Sequence, residues 1–432
     1  MILGRRLESV ALVIALALVA AACTLTVGTE RPSRPPVRAT AASPVPTVTG
    51  SAAAAMKRLC EAPKVGSGSG VPPEGPTPPA IAAVEQQVES VRGLRYTAPV
   101  GVTPVTQAQI DRRLSRSFDK SYPQDFYARR SQAWGTIGVI PAGSSIRDAL
   151  LRFQTGQVTG YYNSTTKRLV YIGDTELGLN EHFTLAHELT HAIDDQHFGL
   201  SRLDAIGARC DDETFEAALG AVEGDAQFWA TQVVERYPSA SGGGSSTGGS
   251  LAGVPPFIVK LELWPYQAGL DFIRTLDDEG GTALVNRAMR TFPVSTEQVI
   301  HPDRWPNDQP VSVDVPQLAG KLGPGWRDLD VMTVGEAWLQ LMLGLRLDAA
   351  TASQAATGWG GGIYRAWSDG SRTAVLLRTV WDTPQDAQEF ADAMTRWIGD
   401  GTASVIGPTG SRVDALFGSD QASLDALRGA VG

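Results

Sequence analysis

The chain has 432 residues, of which 43% are hydrophobic and 19% are charged, and its formal net charge is −9 at pH 7. This length allows a large buried core in one or two lobes. The charges of both signs are dispersed and no basic block with interleaved aromatic residues occurs, so nucleic acid is not an expected partner. The glycines between residues 242 and 249 lack the lysine of a phosphate-binding loop, which excludes that class of nucleotide site.

The N-terminus predicts export. Arg5 and Arg6 precede an uninterrupted apolar run at residues 10–22, and Cys23 follows it directly. This run is too short to cross a bilayer, so residues 1–22 are interpreted as a signal peptide. Cleavage before Cys23 and acylation of this cysteine would anchor the protein by a lipid at the outer face of the cell membrane. Cleavage by the ordinary signal peptidase, giving a secreted protein, is the alternative.

The segment after the signal peptide has the composition of a linker. Residues 23–80 are rich in proline, alanine, serine, threonine and glycine and contain scarcely any aromatic residue. If Cys23 carries lipid, the remaining cysteines are Cys60 and Cys210, an even pair in an oxidising compartment. These two are predicted to form a disulfide, and two buried free thiols are the alternative.

Residues 81–432 are predicted to form one folded domain with a C-terminal lobe from about residue 254. Apolar residues recur at helical spacing in six segments besides the central region: 81–91, 106–118, 260–277, 282–290, 334–346 and 384–397. Strands are predicted at 362–367 and 374–380, as a small antiparallel unit covered by the last of these helices. The Gly/Ser-rich stretch 239–253 is interpreted as a surface loop. The fold class is therefore α+β with helix predominating.

A β-hairpin is predicted just upstream of the central helices. Residues 158–162 and 168–172 are largely apolar and flank a polar turn. If the second strand is a free edge, its main-chain groups could bind an extended peptide largely without regard to its side chains. An ordinary structural hairpin is the alternative.

The most informative pattern is H-E-x-x-H, formed by His187, Glu188 and His191 in a predicted helix that begins near Asn180, its expected N-cap, and ends near residue 196. Residues four apart lie one turn apart on the same helix face, so both imidazoles can bind one ion while Glu188 lies beside it. A helix whose two histidines merely form local hydrogen bonds is the alternative.

Two acidic residues follow the pattern, and one of them is expected to orient a metal ligand. Asp194 and Asp195 lie three and four residues after His191, within reach of its second ring N–H. Solvated surface aspartates are the alternative.

A catalytic zinc ion takes three protein ligands and keeps one position open for water. The next helix is predicted at 213–237, where Glu223 borders the apolar stripe. The small residues around it thin the helix so that another helix could approach closely; they are Gly220, Ala221, Gly224 and Ala226. A carboxylate among small buried neighbours needs a partner, so Glu223 is the best third ligand. Glu216 is its main rival, and the further alternatives are Asp211, Asp212, Glu213 and His197.

Several segments between residues 155 and 395 carry a resemblance. In chain order they are GYYNSTTKRLVYI, LAHELTHAIDDQHFGL, AVEGDAQ, VSTEQVIHPDRW, and GWGGGIYRAW with TVWDTPQDAQEF. The chain resembles a group of bacterial, often actinobacterial, zinc metallopeptidases of the gluzincin type, some of which are lipoproteins. The specific pieces are HELTHAIDDQHF and VEGDA. The resemblance implies a zincin-like fold, Zn²⁺ bound by His187, His191 and Glu223, and Glu188 in the catalytic position. The chain departs from the pattern at Gly362 and Ile363, where an acidic and a basic residue often occur.

These observations predict hydrolysis of peptide bonds by a zinc-activated water, with Glu188 as general base. A further donor to the developing oxyanion is expected. His301, which follows STEQVI and precedes a proline, is the preferred candidate; Tyr161, Tyr162 and Tyr266 are others.

The expected partners are a peptide or protein substrate and the membrane, through the lipid anchor. A catalytically silent cell-envelope binding or chaperone lipoprotein that retains the fold is one alternative function. An amide hydrolase acting on cell-wall material is another, and it would use the same residues.

Overall fold

The computed structural model describes residues 48–60, 77–121, 123–155, 158–172, 178–207, 209, 211–238 and 251–432. These residues form an α+β structure in which helix predominates and two β-sheets occur, which confirms the expected class. The signal peptide, Cys23, Cys210 and most of the Gly/Ser-rich stretch lie outside the described residues, and what the sequence predicts for them stays a prediction. Among the helices within these ranges, none combines the length and apolar character required of a membrane span.

The helices and strands of the described residues are numbered in chain order. The α-helices are α1 (Gly50–Cys60), α2 (Pro79–Arg92), α3 (Gln107–Ser121), α4 (Phe126–Ile137), α5 (Ile146–Gln154), α6 (Leu179–Phe198), α7 (Arg202–Gly207), α8 (Asp212–Arg236), α9 (Pro256–Arg290), α10 (Thr296–Ile300), α11 (Ala319–Leu322), α12 (Glu336–Leu343), α13 (Ala349–Ala356), α14 (Pro384–Ile398) and α15 (Gln421–Val431). The strands are β1 (Gly101–Val105), β2 (Gly160–Asn163), β3 (Arg168–Ile172), β4 (Arg327–Thr333), β5 (Trp359–Ser368), β6 (Thr373–Trp381), β7 (Ala403–Thr409) and β8 (Arg412–Gly418).

The small sheet contains the predicted hairpin and one additional strand. Its order is β1-β3-β2, with β1 parallel to β3 and β2 antiparallel to it. Of the two interpretations of the hairpin, the one in which its second strand is a free edge does not apply, because β3 is central and β1 pairs along its full length from Gly101 to Val105. The outer hairpin strand is β2, which contacts α6 and has all four of its residues buried.

The helical part is built around α6, α8 and α9. The closest approach of α8 to α9 occurs at glycines, since a Cβ atom on Gly224 would lie 2.1 Å from the carbonyl carbon of Gly269. The predicted close approach of a helix beside Glu223 is therefore confirmed. The prediction of separate helices at 260–277 and 282–290 is confirmed, because α9 consists of two helical stretches that meet at Gly281, whose φ of 60° and ψ of −166° are not helical.

The C-terminal part is a five-stranded antiparallel sheet with the order β4-β5-β6-β8-β7. Successive side chains of a strand point to opposite faces of the sheet, and in the central strands both sets are largely apolar. Each face of the sheet must therefore be covered by other elements. Trp134 of α4 and Phe390 of α14 cover one face, while Met56 of α1 and Leu427 of α15 cover the other. The two predicted strands are correct but account for only part of this sheet. The sheet begins at β4, whereas α9 packs along α8; the lobe boundary near residue 254 stays a prediction.

The segment predicted as a linker contains a helix. Residues 50–60 form α1, which packs against β4 and buries Ala52, Ala55, Met56 and Cys60. Alanine has the highest intrinsic helix propensity, and these four residues share one face of the helix. The linker interpretation is therefore wrong for residues 48–60, because an alanine-rich composition is compatible with a docked helix as well as with a linker.

Candidate metal centre

The structure brings the three predicted ligands together. His187 Nε2 lies 3.0 Å from His191 Nε2 and 3.1 Å from Glu223 Oε2, and His191 Nε2 lies 3.5 Å from the same Glu223 oxygen. A tetrahedral zinc ion with ligands at about 2.0–2.2 Å separates them from each other by roughly 3.3–3.6 Å. One of the three separations lies in this range and the other two are 0.2–0.3 Å shorter than its lower end, so the triangle is close to the size of a metal site.

The chemistry of the three groups also fits a cation. All three side chains are at most 1% exposed, and a shared proton could satisfy only one of their mutual contacts, whereas one cation would satisfy all of them. Burial acts to raise the pKa of Glu223, but the neighbouring His191 and His187 outweigh it and lower that pKa below its ordinary value. The Nδ1 atoms of both histidines make no hydrogen bond in the described part of the chain.

The helix α6 that carries the motif begins at Leu179 rather than after Asn180, and Gly178 is its N-cap. This difference of two residues does not change which side chains share a face, because His187, Glu188 and His191 all lie well inside the helix. The geometry inferred from their spacing is therefore unchanged.

The rivals for the third ligand position have other environments. Glu216 faces Glu262, and burial followed by the charge of Glu262 raises the pKa of Glu216 well above its ordinary value. The other four groups have hydrogen-bond partners elsewhere: Asp211 accepts from Thr333, Asp212 from Arg130, Glu213 from Thr296, and His197 contacts the carbonyl of Arg95. Of the candidates, Glu223 alone lies with the two histidines among the described residues.

Glu188 follows His187 directly in α6 and is fully buried. Its Oε2 accepts a hydrogen bond from the main-chain N–H of Tyr162 in β2. Ile172 of β3 donates its main-chain N–H to the carbonyl oxygen of Thr159 at 2.8 Å, so these two residues form a hydrogen-bonded pair. In an antiparallel ladder such pairs alternate with pairs that form no hydrogen bonds between the strands, and Tyr162 lies in a pair of the second kind, opposite Leu169. The N–H of Tyr162 therefore points away from β3. The outer strand thus reaches the predicted general base directly. A contact to main chain leaves no signal in the sequence, so this role of Tyr162 was not predicted.

Among the candidate oxyanion donors, Tyr266 lies at the centre. Its ring is stacked on that of His187 with centroids 6.1 Å apart and an interplanar angle of 28°, and its hydroxyl interacts with Glu223. Burial, together with the charges of Glu223 and Glu188, raises the pKa of Tyr266 well above its ordinary value, so this hydroxyl stays protonated and can donate. By contrast, the hydroxyl of Tyr162 donates to Asp195 at 2.9 Å.

The two aspartates expected to orient a histidine have other partners. Asp194 lies 3.1 Å from an amino nitrogen of Arg92, and Asp195 accepts hydrogen bonds from Lys167, from the hydroxyl of Tyr162 and from the main chain of Leu200. The expectation that either carboxylate bonds to the ring of His191 is therefore wrong. Sequence spacing places both within reach of this ring, but basic and tyrosyl groups from distant segments engage them instead.

His301 pairs with a glutamate of α12. Its Nε2 lies 3.0 Å from Glu336 Oε1, and it forms no hydrogen bond or ion pair with His187, His191 or Glu223 in the described residues. Burial lowers the pKa of His301, but the hydrogen bond and charge of Glu336 outweigh this effect and leave the pKa above its ordinary value. A catalytic contact of His301 stays a prediction.

The surrounding STEQVIHPDRW segment instead connects the helical part to the C-terminal part. Thr296 donates to Glu213 of α8 through both its main-chain N–H and its hydroxyl, and the hydroxyl accepts from the main chain of Ala337 in α12.

A second acidic cluster surrounds an arginine side chain. The carboxylates of Glu297, Asp308 and Asp382 lie close enough together to suggest a cation site. One amino nitrogen of Arg304 lies 2.6, 2.8 and 2.9 Å from them, respectively. The guanidinium occupies the position that an ion would take, so this cluster is not a second metal centre.

The predicted disulfide involves one described cysteine. Cys60 is fully buried at the end of α1, and its Sγ lies 4.0 Å from the carbonyl oxygen of Val331 in β4. Cys210 lies outside the described residues, but its neighbour Asp211 accepts a hydrogen bond from Thr333 in the same strand. The disulfide between Cys60 and Cys210 therefore stays a prediction.

Comparison with known proteins covers the C-terminal part alone. Residues 326–423 match the model of a family described as a domain of unknown function, DUF8575, and this segment runs from β4 into α15. No curated protein matches the chain, and no solved structure does. The candidate metal centre lies N-terminal to the matched residues.

Proposed function

We propose that this chain is an exported zinc-dependent metallopeptidase with a zincin-like catalytic domain. The observation that carries this proposal is the buried triangle of His187, His191 and Glu223 with the Glu188 carboxylate beside it. A metal-binding protein without activity has no need of a glutamate at this position, whereas a hydrolase needs a general base there.

When bound, a zinc ion would lower the pKa of a coordinated water towards neutrality and polarise an amide carbonyl. The chain's own residues supply the remaining functions. Glu188, oriented by the N–H of Tyr162, accepts the proton of the attacking water and passes it to the leaving amine. Tyr266 donates its hydroxyl proton in a hydrogen bond to the developing oxyanion. The low exposure of the centre excludes bulk water and strengthens each of these interactions.

An extended peptide is the substrate class that best suits the neighbouring strand. Because β2 is the outer strand of its sheet and bonds to Glu188 through its main chain, a peptide aligned with β2 would place a main-chain amide near the base. Main-chain pairing of this kind recognises peptides with little dependence on side chains. A cell-wall amide is the competing substrate, and the export signal predicted at residues 1–22 is compatible with both.

The test begins with the metal content of the purified protein. We expect about one zinc per chain by elemental analysis and cleavage of a broad peptide library that chelation abolishes and zinc restores. Glu188→Gln should retain the metal and lose nearly all cleavage. Retention of full cleavage by this variant would reject Glu188 as the base. Metal-loaded wild-type protein that cleaves cell-wall amides and no peptide would favour the competing substrate, and protein that cleaves neither would favour a silent binding protein.

The ligand assignment has a matched pair of variants. Glu223→Ala should lose the metal, whereas Glu216→Ala, which removes another glutamate of α8, should keep it. Full zinc occupancy in Glu223→Ala would reject Glu223 as the third ligand.

A further inference from the structure

Arg92, the last residue of α2, is fully buried between the two helices that carry the candidate ligands. Its guanidinium lies 3.1 Å from Asp194 of α6 and 3.2 Å from Asp225 of α8. A third acceptor, the side-chain oxygen of Asn286 in α9, lies 2.7 Å from another of its nitrogens. One side chain therefore contacts all three helices that surround the centre.

The aromatic neighbours of Arg92 hold this arrangement in place. The guanidinium lies over the ring of Trp229 at 5.2 Å and that of Phe198 at 5.7 Å. The indole N–H of Trp229 donates to the other oxygen of Asp225 at 3.0 Å. Arg92 and Asp225 are thus each held by more than one neighbour.

The two carboxylates lie immediately beyond the candidate ligands. Asp194 follows His191 by three residues, and Asp225 follows Glu223 by two, which corresponds to about 3–4.5 Å along each helix axis. A cross-link at this level restricts both sliding and separation of α6 and α8. The buried faces of these helices include the alanines Ala186, Ala192 and Ala221, whose small side chains form shallow ridges, so a polar bridge adds a constraint on the register.

We propose that Arg92 is a positioning residue for the metal centre: by bridging Asp194 and Asp225 it sets the separation of His191 from Glu223. This inference rests on the proposed function, because it concerns the geometry of the same ligands. A fully buried ionic cluster contributes little net stability, since desolvation offsets its attraction, and specification of one register is the best attested use of such a cluster.

The planar guanidinium is required for the bridge. Arginine presents several N–H donors in a fixed fork and can contact two carboxylates at once, whereas a lysine ammonium is a point charge on a flexible stem. Arg92→Lys therefore retains the charge but loses the simultaneous contact to both helices. Arg130→Lys is a matched control, because Arg130 is also buried and also bridges two aspartates, Asp330 at 3.0 Å and Asp212 at 2.7 Å, but lies beside the C-terminal sheet.

The experiment titrates Co²⁺ into the metal-free full-length protein and its variants, and records the dissociation constant, the visible absorption spectrum and the melting temperature without metal. Both substitutions should lower the melting temperature. Only Arg92→Lys should weaken Co²⁺ binding, by about 10–100-fold, and alter the spectrum of the bound ion. Asp225→Asn is a second variant, which keeps the shape of the side chain and should weaken binding in the same direction.

Three results would overturn the inference. An unchanged Co²⁺ affinity and spectrum in a folded Arg92→Lys or Asp225→Asn protein would reduce the cluster to a purely structural role. If Arg130→Lys weakened Co²⁺ binding as much as Arg92→Lys does, the loss of affinity would be a general consequence of lower stability. Wild-type protein that binds no Co²⁺ would overturn the proposed function itself, an outcome that differs from both of the others.

Discussion

Two tyrosines near the candidate centre, Tyr162 and Tyr266, differ in the groups that they contact. Tyr162 is fixed at both ends, by its main-chain N–H on Glu188 and by its hydroxyl on Asp195. Tyr266 is stacked on His187 and directs its hydroxyl to Glu223. The first residue therefore orients the base, and the second has a donor available beside the reacting groups.

Tyr266→Phe tests the donor. Because the ring and its stacking are retained, the metal content should not change, while kcat on a cleaved peptide should fall about 10²–10³-fold, as expected when one oxyanion donor is removed. Steady-state kinetics with metal analysis provide the measurement. Tyr161→Phe is the control and should leave kcat close to wild type. A rise in KM with an unchanged kcat would argue for substrate binding instead.

At the level of helices, the contact between α8 and α9 determines whether Glu223 can reach the histidines. Gly220, Gly224 and Gly269 replace side chains with direct main-chain contact. Glu223 lies between Gly220 and Gly224, the two glycines of α8 in this contact, so any separation of the two helices also moves the third ligand.

Gly224→Ala should disrupt this contact. The new Cβ would meet main chain rather than a flexible side chain, so the helices must separate; overpacking of this kind costs about 1–3 kcal/mol or more. We expect a lower melting temperature and weaker zinc binding, measured by calorimetry and metal titration. Gly320→Ala in α11 is the control, because a Cβ atom added to Gly320 would have no other atom within 4 Å. Equal stability of the two variants would contradict this account of the packing.

The sequence predicted the site well over short distances along the chain and poorly over long ones. His187, Glu188 and His191 share one helix, so their spacing alone fixes their geometry, and the small residues beside Glu223 correctly indicated a close helix. The inferences that failed concerned partners distant in sequence. Nothing near Asp194 indicates Arg92, about a hundred residues earlier, and nothing in the hairpin indicates that β1 pairs with β3. His301 has a suggestive context, but its partner Glu336 is set by tertiary structure.

At the scale of the whole molecule, a buried carboxyl group connects the helical part to the C-terminal part. Glu213 of α8 accepts from Thr296, whose hydroxyl in turn accepts from Ala337 of α12. Burial raises the pKa of Glu213 to about 8, although the hydrogen bonds from Thr296 act in the opposite direction. This carboxyl group is therefore protonated in the folded protein at neutral pH.

Stability should accordingly fall as the pH rises. The folded-state pKa of Glu213 lies above its unfolded value of 4.5. The contribution of Glu213 to the free energy of unfolding is therefore fully present below pH 4.5 and is lost as the pH rises through about 8. Between pH 6 and pH 9 the free energy of unfolding of the metal-free protein should decrease, and Glu213→Gln should reduce that decrease by about 1–3 kcal/mol. Urea denaturation at both pH values provides the measurement, and an identical pH dependence in the variant would contradict the assignment.

The docking of α1 has a consequence for how the molecule would stand on a membrane. Helix α1 packs on the C-terminal sheet, so a lipid on Cys23 would tether the protein from that side rather than from the helices around the metal centre. The chain between Cys23 and Val48 can span at most about 80–90 Å. An anchored molecule would therefore stay within that distance of the bilayer surface, and it could reach only substrates in the same layer.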